Sequence, residues 1–197
     1  MAEKLLREWT KDLLAPVARL ISRTGVSPNV LTVLGFLATV GVSIVLASGQ
    51  QRVAGLLMVP VGLVDALDGA LARLRNRATR FGAFLDSTLD RFAEIALYLG
   101  LLYLYRETTP ETLLIYLTIT GSLMVSYTRA RAEGLGIECK VGLFGRFERL
   151  ATLVLGLVLG QIRIALIILA VFSNLTALQR MWHVRKATSS ASAEDKR

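Results

Sequence analysis

The 197 residues are 53% hydrophobic with a mean hydropathy of +0.53, too apolar for a soluble domain of this size, whose surface must be polar. The net charge of +8 suits nucleic acid or an anionic membrane surface, and the placement of the charges selects the membrane. One cysteine, Cys139, excludes an internal disulfide and a cysteine-built metal site and reads as a small buried or interfacial residue.

Residues 2–23 read as an amphipathic helix. Leu6, Trp9, Leu13, Val17 and Leu20 recur at helical spacing, while Lys4, Arg7, Lys11 and Arg19 lie largely off that stripe. With an apolar span following directly, this helix suits the headgroup layer. Charges interrupt its apolar positions, so no cleavable signal peptide is expected.

Six candidate spans follow, over 28–48, 53–75, 82–105, 111–133, 147–161 and 164–183. A bilayer core takes about 20 apolar residues per helix, and the fifth span is the shortest. The first opens on Ser27-Pro28-Asn29, a favourable helix start. Gly156 and Gly160 form a G-x-x-x-G that can mark close helix packing. His183, beside Trp182 at the end of the last span, reads as an interfacial anchor. The tail after Lys186 is rich in Ser, Ala and charge and reads as disordered. The expected organisation is an all-α integral membrane protein: an interfacial helix over 1–24, six transmembrane helices over 25–186, and a disordered tail over 187–197.

Alternating the spans across a bilayer puts 19 of the 23 Lys and Arg on one side. Arg52, Arg106 and Arg163 fall on the other, and Arg91 lies within the third span. This asymmetry predicts a multi-pass protein of the cell (inner) membrane with both termini cytoplasmic. It also accounts for the basic charge without nucleic acid.

Acidic residues inside membrane spans are costly and are functional candidates by default. Four lie close together: Asp65, Asp68, Asp86 and Asp90. Asp65, Gly69 and Arg73 recur every four residues, with Asp68 and Ala72 flanking the same stripe. At about 100° per residue they share one side of a helix. Thr79, Gly82, Asp86 and Asp90 form a similar stripe on the next helix, and the short basic loop between makes the two helices antiparallel neighbours. Four converging carboxylates would repel unless a divalent cation lay between them. Oxygen ligands suit Mg²⁺, Mn²⁺ or Ca²⁺ rather than zinc, and Mg²⁺ shares its coordination with substrate phosphates. Gly69, Ala72 and Gly82 leave room for a nucleotide to approach the backbone. Arg73, Arg75, Arg77 and Arg80 add positive charge for anionic groups. Acid–arginine pairing that merely holds helices together would not require this regularity.

The run Asp65-x-x-Asp68-Gly69-x-x-Ala72-Arg73, eight residues, Gly82, three residues, Asp86, three residues, Asp90 resembles the full signature of the CDP-alcohol phosphotransferases. That resemblance implies transfer from a CDP-linked lipid to an alcohol with release of CMP, two metal ions (Mg²⁺, with Mn²⁺ an option) and a homodimer. It makes Asp65, Asp68, Asp86 and Asp90 the metal ligands and Asp90 the general base. Gly69, Ala72, Arg73, Thr79 and Gly82 would hold the CDP part, and Pro28, Asn29, Val30 and Leu31 would line the same pocket. The site would open to the cytoplasm.

Ser126-Tyr127-x-Arg129-Ala130-Arg131, followed by Arg146-x-Glu148-Arg149 and later Arg180, resembles the acceptor region of the phosphatidylinositol-phosphate synthases. This implies that Ser126, Arg129, Arg131, Arg149 and Arg180 bind an inositol phosphate. Several arginines suit a phosphorylated acceptor better than serine or free inositol. Phe147 departs from the proline common at its position. Arg129 and Arg131 differ by about 200° on an ideal helix, so both face one pocket only if the helix ends there. Glycerol 3-phosphate, the acceptor in phosphatidylglycerophosphate synthesis, is the runner-up. An ion-binding transporter would place its acids at the midplane and show internal repeats. These acids lie toward one face, and their segment does not recur.

Overall fold

The computed structural model describes residues 27–74 and 79–194, with side chains described outside 65–74 and 190–194. The amphipathic helix expected over 1–24, Arg75 and Arg77, and residues 195–197 lie outside the described residues. The described elements are all α-helical: α1 Pro28–Ala47, α2 Gln51–Leu74, α3 Arg80–Leu104, α4 Thr109–Glu133, α5 Arg146–Val158 and α6 Ile162–Glu194. They form two compact units, one ending at Leu104 and one beginning at Tyr105.

In the first unit Ser27 caps α1, its Oγ accepting from Val30 N at 3.4 Å, and Pro28 opens the first turn. This satisfies an orphan amide and presets φ. The far end stops at Gly49, whose φ of +89° turns the chain into α2. The buried face of α1 is Thr32, Gly35, Thr39, Val42, Ser43 and Leu46, mostly small residues that let another backbone come close. Ser43 Oγ donates to the Ala96 carbonyl. A Cβ at Gly100 would lie 2.6 Å from the Ser43 carbonyl oxygen, so only glycine fits that crossing. Asn29 lies against Gly82 at the other end, so α1 and α3 run parallel. α2 runs back between them in sequence and packs on α1.

The second unit repeats the parallel pairing of first and third helices. Glu111 Oε1 at the start of α4 pairs with Arg163 Nε at the start of α6, 3.3 Å apart. Midway, Asn174 Nδ2 donates to the Leu117 carbonyl at 3.0 Å beside Gly121, where a Cβ would meet that amide at 2.6 Å. α5 packs antiparallel on α6. The G-x-x-x-G divides its work. Gly156 packs against the Ala165 side chain, whereas Gly160, at φ +70°, is the turn residue that ends α5. There Gln161 N donates to Gly156 O at 2.8 Å and Gly160 N to Leu157 O at 3.3 Å, the paired bonds of a Schellman cap.

Large apolar side chains face outward, among them Leu34, Leu37 and Ile44 on α1 and Ile164, Val171 and Leu178 on α6. Small polar ones such as Thr39, Ser43, Thr118, Ser122, Ser173 and Thr176 are inside. This inverts the soluble pattern and suits lipid. Among the described residues, Pro28–Ala47 and Ile162–Ser189 are long and apolar enough to cross a membrane, and Gln51–Val64 is a shorter apolar stretch. α5, with 13 residues, is about 20 Å long against a hydrocarbon core of about 30 Å. α6 continues through Glu194, past Lys186, where the sequence led us to expect disorder. No Gly or Pro interrupts residues 187–194, and Ala and Glu favour a helix.

Candidate active site

α2 stays helical through Leu74, so Asp65, Asp68, Gly69, Ala72 and Arg73 sit on one uninterrupted helix at the expected register. Their side chains lie outside those described. On α3 the geometry is explicit. Thr79 caps the helix, its Oγ1 accepting from Gly82 N at 2.9 Å. A Cβ at Gly82 would sit 3.0 Å from both Thr79 Oγ1 and Asn29 Oδ1. The fold therefore gathers Asn29, Thr79 and Gly82, three of the expected nucleotide residues, around one helix start. Pro28 occupies the first turn of α1, with Val30 exposed and Leu31 half-buried.

Asp86 and Asp90 follow on α3, one turn apart and hence on the same face. Asp90 is 9% exposed, and its Oδ2 is 3.2 Å from Arg91 Nη2. The sequence reading assigned Arg91 no role, although a cation inside an apolar span is itself a signal. Two carboxylates at helical spacing, one of them buried beside a cation, form an all-oxygen donor set that suits a hard divalent ion. Among the described side chains no group of three or more His, Cys, Asp or Glu converges, and the remaining two aspartates of the expected set lie outside them.

The second unit holds the arginines. Arg149 is 2% and Arg180 7% exposed. Arg180 Nε donates to the Val141 carbonyl at 2.9 Å and its Nη1 to the Val125 carbonyl, charge-assisted bonds that offset its burial. The charges of Arg129, Arg149 and Glu133 all reach Arg180, so three of the expected acceptor arginines are neighbours. Arg129 Nε is paired with Glu133 Oε1 at 2.8 Å. Ser126 is half-buried, next to the carbonyl that Arg180 binds. Arg131 is exposed, and α4 stays helical through Glu133, so the helix does not end in time to bring Arg131 round to Arg129. Between α4 and α5, Lys140 binds Glu138 and holds that carboxyl below the ordinary glutamate range. His183 Nε2 donates to the Glu138 carbonyl at 3.0 Å. Its neighbour Trp182 is exposed, with the Arg185 guanidinium and Lys186 ammonium 5.5 and 5.9 Å from its ring.

The chain belongs to the CDP-alcohol phosphatidyltransferase family, whose profile matches residues 25–182. Among its relatives, the archaetidylinositol phosphate synthase of Pyrococcus horikoshii is 33% identical, over 92% of this chain and 95% of its own. Two crystal structures of phosphatidylinositol phosphate synthase from Mycobacterium tuberculosis superpose with TM-scores of 0.82 at 32% identity. One has CDP-DAG bound, with 88% of this chain and 94% of the other covered. The other is a complex with manganese and citrate, covering 87% and 88%.

Proposed function

We propose that the protein transfers a phosphatidyl group, or its archaeal ether counterpart, from a CDP-linked lipid to inositol phosphate, giving phosphatidylinositol phosphate and CMP. The observation that carries this reading is the buried pair Arg149 and Arg180, with Arg129 close by, in a chain that also bears the full aspartate signature. Such a cluster favours an acceptor with its own phosphate. The synthases of archaetidylinositol phosphate and phosphatidylinositol phosphate among its relatives support the same acceptor.

Asp65, Asp68, Asp86 and Asp90 would hold the metal, two Mg²⁺ ions with Mn²⁺ as a substitute. The ions would neutralise the diphosphate and the charge that develops on departing CMP. Asn29, Thr79 and Gly82, with Pro28, Val30, Leu31, Gly69, Ala72 and Arg73, would hold the CDP part. Asp90 takes the proton of the acceptor hydroxyl. The acceptor oxygen then bonds to the phosphorus that carries the lipid, and the bond from that phosphorus to the oxygen of CMP breaks. Ser126, Arg129, Arg149 and Arg180 would orient the acceptor phosphate. Arg131, which the helix turns away, would contribute least.

The outward apolar faces and the charge asymmetry support a six-span chain in the cell membrane, with termini and site on the cytoplasmic side. In that arrangement α5 is a short span. The homodimer comes from the family resemblance.

CMP release by the purified protein decides among acceptors. It is measured with Mg²⁺ and either CDP-diacylglycerol or a CDP-linked ether lipid, offering inositol phosphate, glycerol 3-phosphate, serine and inositol. Release with inositol phosphate alone is expected. Release with glycerol 3-phosphate instead would make the reaction phosphatidylglycerophosphate synthesis, and no release with any acceptor would remove the proposal.

A further inference from the structure

The segment 134–145 between α4 and α5 has no regular structure and contains Gly134, Gly136, Gly142 and Gly145. Left alone, such a sequence would be mobile. It is instead fastened along α6, largely through its backbone. His183 Nε2 donates to the Glu138 carbonyl at 3.0 Å and Arg180 Nε to the Val141 carbonyl at 2.9 Å. Leu143 N donates to Gln179 Oε1 at 3.2 Å and Phe144 N to Thr176 Oγ1 at 3.1 Å. The Phe144 ring then meets Phe172 with centroids 5.6 Å apart.

These contacts have an order. As the segment advances from 138 to 144, its partners step back along α6 from 183 through 180, 179 and 176 to 172. The intervals of three, one, three and four residues describe one helical stripe. The segment therefore lies antiparallel on α6 in a fixed register. Gly142 makes that register tight, since a Cβ there would lie 2.6 Å from Thr176 Cγ2, and its φ of +132° suits only glycine. Immediately beyond, Gly145 begins α5, whose first turns carry buried Arg149. Whatever fixes the segment fixes where Arg149 stands relative to Arg180.

We propose that Thr176 and Gln179, with His183 as the outer fastening, are positioning residues for the acceptor phosphate. They touch no substrate. They set the register of residues 138–144 along α6 and thereby the spacing of Arg149 and Arg180. The inference rests on reading those two arginines as acceptor-binding.

The test is the KM for each substrate, from CMP release by the full chain. Thr176→Val and Gln179→Leu keep the side-chain size and remove the accepting oxygen, while Thr176→Ser and Gln179→Glu retain it. Losing one such hydrogen bond is expected to raise the acceptor KM about five- to tenfold. The KM for the CDP-linked lipid should stay unchanged, and the Ser and Glu variants should return close to wild type. A parallel rise in both KM values, a fall in kcat alone, or Ser and Glu variants that behave like Val and Leu would overturn the proposal. If Thr176→Val does not fold, Gln179→Leu, at a half-buried position, carries the test alone. If the wild-type protein uses glycerol 3-phosphate, the acceptor assignment fails, yet the same KM split on that acceptor still decides the positioning role.

Discussion

The two units share a skeleton and differ in what joins its parts. Among the described residues each has three helices whose first and third run parallel and close at a glycine, Gly100 against Ser43 in one and Gly121 against Asn174 in the other. In the first unit the second helix packs on the first, and in the second unit it packs on the third. α1 and α2 are linked by a tight turn at Gly49, whereas α4 and α5 are linked by the long fastened segment 134–145. Chemistry in the first unit therefore hangs on helical register alone. In the second it depends on a loop held by side chains from another helix. The first arrangement suits fixed charges on a metal, and the second suits a pocket whose shape selects an acceptor.

The largest effects should come from the register-built half. Stripping divalent metal with a chelator is expected to abolish CMP release, and adding Mg²⁺ or Mn²⁺ should restore it. Asp90→Asn should lower kcat by about 10²–10⁴-fold, the usual worth of a positioned base. CDP binding by equilibrium titration should be largely spared. If D90N loses nucleotide binding together with turnover, Asp90 is chiefly a metal ligand.

Next come the arginines of the loop-built half. Arg149→Ala removes a nearly fully buried charge and is expected to raise the acceptor KM about 10- to 100-fold, in line with one or two charge-assisted hydrogen bonds. The KM for the CDP-linked lipid should not move. An equal loss on both substrates would erase the division of labour between the units.

The shared skeleton has its own test. Gly100→Ala places a methyl against the Ser43 carbonyl, a backbone atom that cannot swing aside, so a stability loss of about 1–3 kcal/mol is expected. Gly121→Ala meets the Asn174 amide at 2.6 Å and a backbone atom, Asn174 N, only at 3.0 Å, so its loss should be smaller and consist chiefly of the amide's bonds to the Leu117 and Ala170 carbonyls. Melting of both variants in detergent checks the ranking. A neutral Gly100→Ala would mean that the α1–α3 crossing is looser than its geometry indicates.

The same contrast explains what the sequence made legible. The start of α1 was readable because Ser27-Pro28 is a cap with recognisable chemistry, and the aspartate stripe because a four-residue repeat survives folding unchanged, whereas Thr79, counted with that stripe, is the cap of α3. Gly160 was misplaced because a packing glycine and a turn glycine look alike until φ is known. Arg91 escaped because its contact is with the adjacent residue, which helical periodicity does not bring together. Arg180 was read as an acceptor ligand, and its bonds to the Val125 and Val141 carbonyls were invisible because backbone acceptors leave no mark in a sequence. Fastening of the loop through Thr176 and Gln179 was hidden for the same reason.

The smallest expected effect separates two residues that the sequence treated alike. Arg129 and Arg131 both fit the acceptor pattern, but α4 remains helical through Glu133, which keeps them about 200° apart. Both are exposed, but Arg129 is paired with Glu133 and its charge reaches Arg180. An exposed arginine on the helix face turned away from Arg129 contributes about 0–1 kcal/mol. Arg131→Ala should therefore change the acceptor KM less than about threefold, and Arg129→Ala should change it more. If Arg131→Ala is as damaging as Arg129→Ala, α4 must unwind its last turn when the acceptor binds, and the pocket would be formed by the substrate rather than held ready by α6.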